Sequence, residues 1–146
     1  MSTVRDIIRK KGSNEIWSIE PDATVYDAMQ MMAEKGVGAL LVMTGNQVNG
    51  ILSERDCIRK VDLKGHTSRV TKVSEIMTSE VISVQVTEKL EECMAAMIEK
   101  NIRHLPVYEG EQLLGLISVR DVLKEVVDVQ KSLISQLERF ITGGGR

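Results

Sequence analysis

The sequence predicts a mixed α/β (α+β) fold in which one β-α-β-β-α unit is written twice. Three observations predict it. Shifted by about 65 residues, the chain matches itself: Gly36-Val37-Gly38-Ala39-Leu40-Leu41-Val42 falls on Asn101-Ile102-Arg103-His104-Leu105-Pro106-Val107, and Gly50-Ile51-Leu52-Ser53-Glu54-Arg55-Asp56 on Gly115-Leu116-Ile117-Ser118-Val119-Arg120-Asp121. Each copy carries one apolar stripe at helical spacing. Each also carries two short apolar runs joined by a glycine-containing turn, the pattern of a hairpin.

The elements follow in order. A leading segment, Val4-Arg5-Asp6-Ile7-Ile8, matches Val73-Ser74-Glu75-Ile76-Met77 at an offset about four residues longer, the extra residues lying around Lys11 to Asn14 in a turn-like stretch with Gly12. A short extended segment comes next, residues 15–19 in copy one and 81–84 in copy two. Val25, Ala28, Met29 and Met32 then define a helix after an Asp22 or Thr24 cap; Leu90, Cys93, Met94 and Met97 define its counterpart after Thr87. The apolar strands 39–43 and 105–108 turn at Gly45-Asn46 and Glu109-Gly110 into second strands, 48–52 and 113–117. A second helix starts at Ser53 or Ser118.

One unit of about 60 residues has a sheet face to cover and too little core to cover it. Two copies packed sheet to sheet with pseudo-twofold symmetry would cover each other. The boundaries are residues 1–61 for the first repeat, 62–72 for a polar linker, 73–128 for the second repeat, and 129–146 for a helical extension with a glycine tail. In that extension Val122, Leu123, Val126, Val127, Val129, Leu133, Ile134, Leu137, Phe140 and Ile141 keep an i, i+3, i+4 spacing. The stripe would fold back over the sheet or pair with a second chain. Gly143-Gly144-Gly145 would end the helix and fray.

Composition narrows function. Apolar residues make up 42% and charged residues 27% of 146, with a net charge of −2, as in an ordinary globular chain. Nothing basic extends beyond Arg9-Lys10-Lys11 and aromatics are 3%, so nucleic-acid binding is not expected. Nor is membrane insertion, which needs about 20 consecutive apolar residues. Cys57 and Cys93 lie far apart in apolar stretches and read as buried free thiols; with no signal peptide, a reducing cytoplasm is expected.

The sharpest feature is Gly-h-h-Ser-x-Arg-Asp (h apolar), at Gly50–Asp56 and Gly115–Asp121. It has two readings. Ser-x-x-Asp caps a helix: Ser53 or Ser118 accepts from an early amide, and Asp56 or Asp121 suits the positive helix end. The same geometry also offers free N–H groups and a hydroxyl to phosphate, and a carboxylate to a ribose diol. Arg55 and Arg120, which capping does not need, add a forked donor set. Copy two further places Arg103-His104 where copy one has Gly38-Ala39.

With these motifs in order, twice, the chain resembles a CBS-domain pair, or Bateman module, over nearly everything from Val4 to about Val127. It resembles in particular stand-alone two-repeat proteins of bacteria and plants, which also carry Ser-Glu-Arg-Asp in the first copy. The resemblance implies two clefts for AMP, ADP, ATP, NAD(H) or S-adenosylmethionine. Carried over by position, Asp56 and Asp121 would hold ribose hydroxyls; Ser53, Arg55, Ser118 and Arg120 would sit by phosphate. Arg103 and His104 would reach the phosphate of the second site. Ile16 and Val81 would hold adenine, with Ala39 and Pro106 nearby, and Lys11 and Gly12 would line the first site. It also implies a homodimer, and, since only the tail helix lies outside the repeats, output to a separate protein partner.

No catalytic or metal-ligand motif appears: His66 and His104 lie apart from each other and from both cysteines. The function expected is an adenine-nucleotide sensor without catalysis or covalent cofactor. The alternative is an interaction scaffold with vestigial sites.

Overall fold

The structure, a computed structural model, describes residues 2–12 and 15–144. Ser13, Asn14 and Gly145, which the sequence reading places in a turn and a fraying tail, lie outside them. The chain divides into two compact units: residues 15–82, and residues 83–146 together with 1–14.

In the unit of residues 15–82, β1 (Ser18–Ile19) runs parallel to β2 (Ala39–Thr44), which turns at Gly45 into antiparallel β3 (Gln47–Ser53). Between β1 and β2 lies α2 (Val25–Lys35). Its cap is Thr24, whose Oγ1 accepts the Asp27 amide at 3.1 Å, and its end is Gly36 at φ +66°, donating to Met32 O. After β3 comes the short α3 (Glu54–Cys57), widening into a π-helical turn over Ile58–Asp62. Helix α4 (Val73–Ile76) closes the unit. Ile19, Val25, Ala28, Met32, Leu40, Val42, Leu52, Cys57, Val61, Val73 and Ile76 form the core, so the Met32 position in the helical stripe is packing.

The other unit repeats the plan. Here β4 (Val84–Gln85), β5 (His104–Glu109) and β6 (Gln112–Ser118) form the sheet, parallel then antiparallel, with α5 (Leu90–Glu99) between β4 and β5. Both hairpins carry a register shift at the same place, after Val42 and after Val107. Asn101, at φ +53°, takes the left-handed position that Gly36 takes in the first copy. Helix α6 (Val119–Arg139) follows β6, and the helical conformation is lost at Thr142 and Gly143.

The leading segments are helices, and each is held by the opposite repeat. Thr3 and the first turn of α1 (Val4–Lys11) dock on the strand–helix junction of copy two: Val4 N–H donates to Glu88 O and Arg5 N–H to Val86 O, both at 3.0 Å, and Thr3 bridges Lys89. Residues 72–74, at the start of α4, dock identically on copy one: Val73 N–H donates to Ala23 O at 2.9 Å, Ser74 N–H to Pro21 O at 3.0 Å, and Lys72 bridges Thr24.

Two expectations need correcting. The first strands are shorter than 15–19 and 81–84, because only Ser18–Ile19 and Val84–Gln85 pair with a neighbour. Thr87 is not the cap of α5; Lys89 is, without a side-chain bond, and the Ser2 carbonyl takes the Leu90 amide at 3.1 Å. The docked leading segment does the work a capping side chain would do.

Candidate functional site

The repeated motif assembles the same local frame in each unit. Ala39 pairs with Ser53 across β2–β3, and His104 with Ser118 across β5–β6. The first helical amide is taken by the strand's approach: Glu54 N–H donates to Gly38 O at 3.0 Å, Val119 N–H to Arg103 O at 2.9 Å. The third donates to the cap hydroxyl, Asp56 N–H to Ser53 Oγ and Asp121 N–H to Ser118 Oγ, each at 3.2 Å. The capping geometry is therefore present in full. It leaves the Arg120 N–H without an acceptor among the described residues.

The carboxylates differ between copies. Asp56 Oδ2 accepts from Ser53 N–H at 3.0 Å and from its Oγ at 3.1 Å, while Oδ1 meets Lys60 Nζ at 3.2 Å, one turn along the same helix. Asp121 Oδ2 accepts from Ser118 N–H at 2.8 Å and from Lys11 Nζ at 2.9 Å, and no donor among the described residues reaches Oδ1. Burial pushes the Asp121 carboxyl up, but the Ser118 N–H and the Lys11 ammonium outweigh it and hold it below its usual range. It stays ionised with one oxygen open to a donor, which suits a ribose hydroxyl.

Lys11, which the resemblance places at the first site, belongs to the unit of the second copy, and its Nζ also donates to Leu116 O at 3.0 Å. The reason is the docking of α1 on copy two: the helix runs through Lys11, and Gly12, at φ +75°, ends it. Ile16, Ala39, Ser53, Arg55, Asp56 and Val81 belong to the first-copy unit. Gly12, Arg103, His104, Pro106, Ser118, Arg120 and Asp121 belong with Lys11.

His104 is partly buried at the start of β5, while Arg103 and Arg120 are exposed. Burial is the largest influence on the imidazole and lowers its pKa; Asp121 pulls it up, and Lys11 and Arg103 push it down again. The second-copy end of the sheet thus gathers Lys11, Arg103, a neutral imidazole, a cap hydroxyl and one carboxylate. The first-copy frame has Gly38 and Ala39 in place of the Arg-His pair.

An open groove of about 280 Å³ runs from Lys11 and Asp121 along α1 and α6 to Asp128, past Ile7, Lys10, Lys124 and Glu125. Glu125 is 2% exposed; Oε1 accepts from Lys10 Nζ at 2.5 Å and Oε2 has no hydrogen-bond partner among the described residues. Sequence reasoning missed Glu125 and Lys60. The signal was there: they are equivalent positions of the two copies with opposite charge. Copy one thus supplies the cation beside its Asp from its own helix, whereas copy two draws it from α1.

Cys57 and Cys93 are buried and free, their thiols pushed up to about 11 chiefly by burial. Among the described residues no three His, Cys, Asp or Glu cluster as metal ligands, and no helix is long and apolar enough to cross a membrane.

A duplicated sheet with a capped, carboxylate-bearing helix at the end of each hairpin defines a class, and comparison with known proteins agrees with it. The CBS domain model matches residues 3–63 and 73–128; the chain belongs to the CBS-domain family and carries two repeats. It is 36% identical over 152 residues to the CBS domain-containing protein CBSX3, mitochondrial, of Arabidopsis thaliana, covering 98% of this chain and 73% of that protein. A CBS-domain protein of Burkholderia ambifaria superposes with a TM-score of 0.84 at 44% identity, over 87% of this chain and 95% of that one. The hexameric CBS-CP12 protein from bloom-forming cyanobacteria does so with a TM-score of 0.77 at 31% identity, over 88% and 74%.

Proposed function

We propose that this protein is a non-catalytic regulatory module that binds an adenine nucleotide and passes its state to a separate protein partner. The observation that carries the reading is the second-copy cluster, where Asp121 Oδ1 is an open acceptor on an ionised carboxylate beside Lys11, Arg103 and His104. A carboxylate for a ribose diol and cations for phosphate, around a helix N-terminus, are what a nucleotide requires. Capping alone requires neither Arg103 nor Lys11. The candidates are AMP, ADP, ATP, NAD(H) and S-adenosylmethionine. Ser53, Arg55, Asp56, Ile16 and Ala39 form the weaker, first-copy counterpart, since both Asp56 oxygens already have partners. Binding acts as a signal by favouring one of two states of the module.

The test is thermal denaturation of the nucleotide-free chain against that panel. A ligand at about 100 times its Kd adds about 2.7 kcal/mol, a rise of several degrees. The expected result is a shift with one nucleotide that Asp121→Ala abolishes while the variant still folds. No shift with any of the five would overturn the reading.

A scaffold reading is favoured by a different observation, the exposed apolar residues of α6, among them Leu133, Ile134 and Leu137. The two readings combine if α6 joins copies of the chain, and the hexameric relative supports self-association.

A further inference from the structure

Ile51 and Leu116 are equivalent positions in the two hairpins, yet their carbonyls are satisfied differently. Ile51 O accepts from the Thr78 amide at 2.9 Å, the main chain after α4 running alongside β3. Leu116 O accepts from the side chain of Lys11 at 3.0 Å, because α1 continues for another turn where α4 has already ended. The longer first leading segment thus replaces a β-bridge by an ammonium group and sets it 2.9 Å from Asp121 Oδ2.

We propose that Lys11 makes the second-copy site selective for adenosine derivatives that carry a 5′-phosphate over uncharged or cationic ones. This rests on the reading of that site as a nucleotide site and adds its ligand class. Three features argue for it. Lys11 has three N–H donors, of which Leu116 O and Asp121 Oδ2 take two; the third is available to a ligand oxygen. The ammonium is held in place before any ligand arrives, through the Leu116 carbonyl and through α1, whose first turn is bonded to Val86 and Glu88. The charges acting on His104 at this end of the sheet are also one-sided: Lys11 and Arg103 against a single carboxylate, Asp121. The next acid along α6, Glu125, is engaged by Lys10. A sulfonium or a second ammonium would meet net repulsion there, whereas a phosphate monoester would take the third N–H of Lys11 and leave Asp121 Oδ1 to the ribose.

The experiment is isothermal titration of AMP, adenosine and S-adenosylmethionine into protein carrying Asp56→Asn, which weakens the first-copy site while keeping a cap acceptor. Each titration is repeated with Lys11→Met, Lys11→Gln and Lys11→Arg added. The Gln variant keeps a donor for Leu116 O without the charge. The expected result is that the AMP-to-adenosine affinity ratio falls about tenfold or more in the Met and Gln variants, as for loss of one charged hydrogen bond. Lys11→Arg restores the ratio. AMP binding with the same ratio in the Met and Gln variants would overturn the role of Lys11 and leave the nucleotide site standing. Absence of binding by all three ligands before Lys11 is touched would instead overturn the nucleotide reading itself, and this inference with it.

Discussion

His104 stands directly across the β5–β6 ladder from Ser118, so the imidazole shares one end of the sheet with the cap of α6. Burial keeps its folded pKa below 6.5, with Lys11 and Arg103 reinforcing the shift and Asp121 opposing it. An unfolded His titrates near 6.5. Below that pH the unfolded chain binds more protons at this position than the folded one, so stability falls as pH falls; above it the contribution is complete. The melting temperature should therefore drop more steeply from pH 7 to 5.5 in the native sequence than in His104→Gln. A phosphate placed beside His104 reverses the balance by attracting the imidazolium. Binding should then take up a proton, measured as a dependence of the calorimetric heat on buffer ionisation that His104→Gln reduces. Equal proton uptake in the two proteins would argue against a phosphate at His104.

The motif glycines are equivalent in sequence and unequal in space. A Cβ on Gly50 would lie 2.8 Å from the Thr78 carbonyl oxygen and 2.8 Å from Met77 Sδ, while one on Gly115 would meet only Ile8 Cδ1 at 3.7 Å. The first clash is with main chain paired to Ile51, which cannot step aside without breaking that bridge. Gly50→Ala should cost about 1–3 kcal/mol, the range of overpacking. Gly115→Ala should be neutral to within about 0.5 kcal/mol. Urea denaturation of the two variants checks this, and equal losses would mean that the close approach of Thr78 to β3 is not maintained in solution.

Much of this fold was legible because duplication doubled each signal. The hairpins, the caps at Ser53 and Ser118 and the helix of Val25, Ala28 and Met32 follow from local pattern, and the helix starting at Ser118 was placed correctly from its Ser-x-x-Asp. The elements that failed depend on partners distant in sequence. The first strands are trimmed to the few residues that find a ladder, and α5 starts where Thr3 bridges Lys89, not at Thr87. The contact of Lys11 with Asp121 was not legible for the same reason. Nothing within residues 1–16 indicates that α1 docks on Val86 and Glu88, some eighty residues away. At the site, the two motif aspartates and the opposite charges at Lys60 and Glu125 were readable from the repeat, but that Lys60 meets Asp56 while Glu125 meets Lys10 needed the helix faces to be known.

The thiols of Cys57 and Cys93 should be inert in the folded chain. Burial lifts both to about 11, helped at Cys57 by Asp56 and at Cys93 by Glu88. Relative to a free thiol of about 9, that leaves about a hundredfold less thiolate at neutral pH. An aromatic disulfide reagent should label neither cysteine at a rate faster than unfolding and should label both promptly in denaturant. Rapid native labelling of one residue would expose a thiol that this fold buries and reopen a redox role for it.

Along α6 and into the turn that follows it, apolar pairs recur every seven residues, Val126-Val127, Leu133-Ile134 and Phe140-Ile141, with Leu123 before the first pair and Leu137 between the second and third. Alternating steps of four and three are the seam of a left-handed coiled coil, and from Leu123 through Val127, Ile134 and Leu137 to Ile141 the stripe keeps them with one polar position, Gln130. Leu123, Val127, Leu133, Ile134, Leu137, Phe140 and Ile141 are all exposed in the single chain, from 45% at Val127 to 79% at Ile141. The helix has not folded back to cover them. A second copy is the partner the period suits, since a seven-residue stripe is complementary to itself. Size-exclusion chromatography with light scattering should find the native chain oligomeric and the variant carrying Ile134→Asp together with Leu137→Asp monomeric. At protein concentrations low enough to dissociate the native assembly, the variant should melt within about 2 °C of the native chain, because neither side chain supports the fold of one copy. Retention of the oligomer in this variant would move the interface off α6, and a lower melting temperature in dilute solution would mean that the stripe supports the single chain after all.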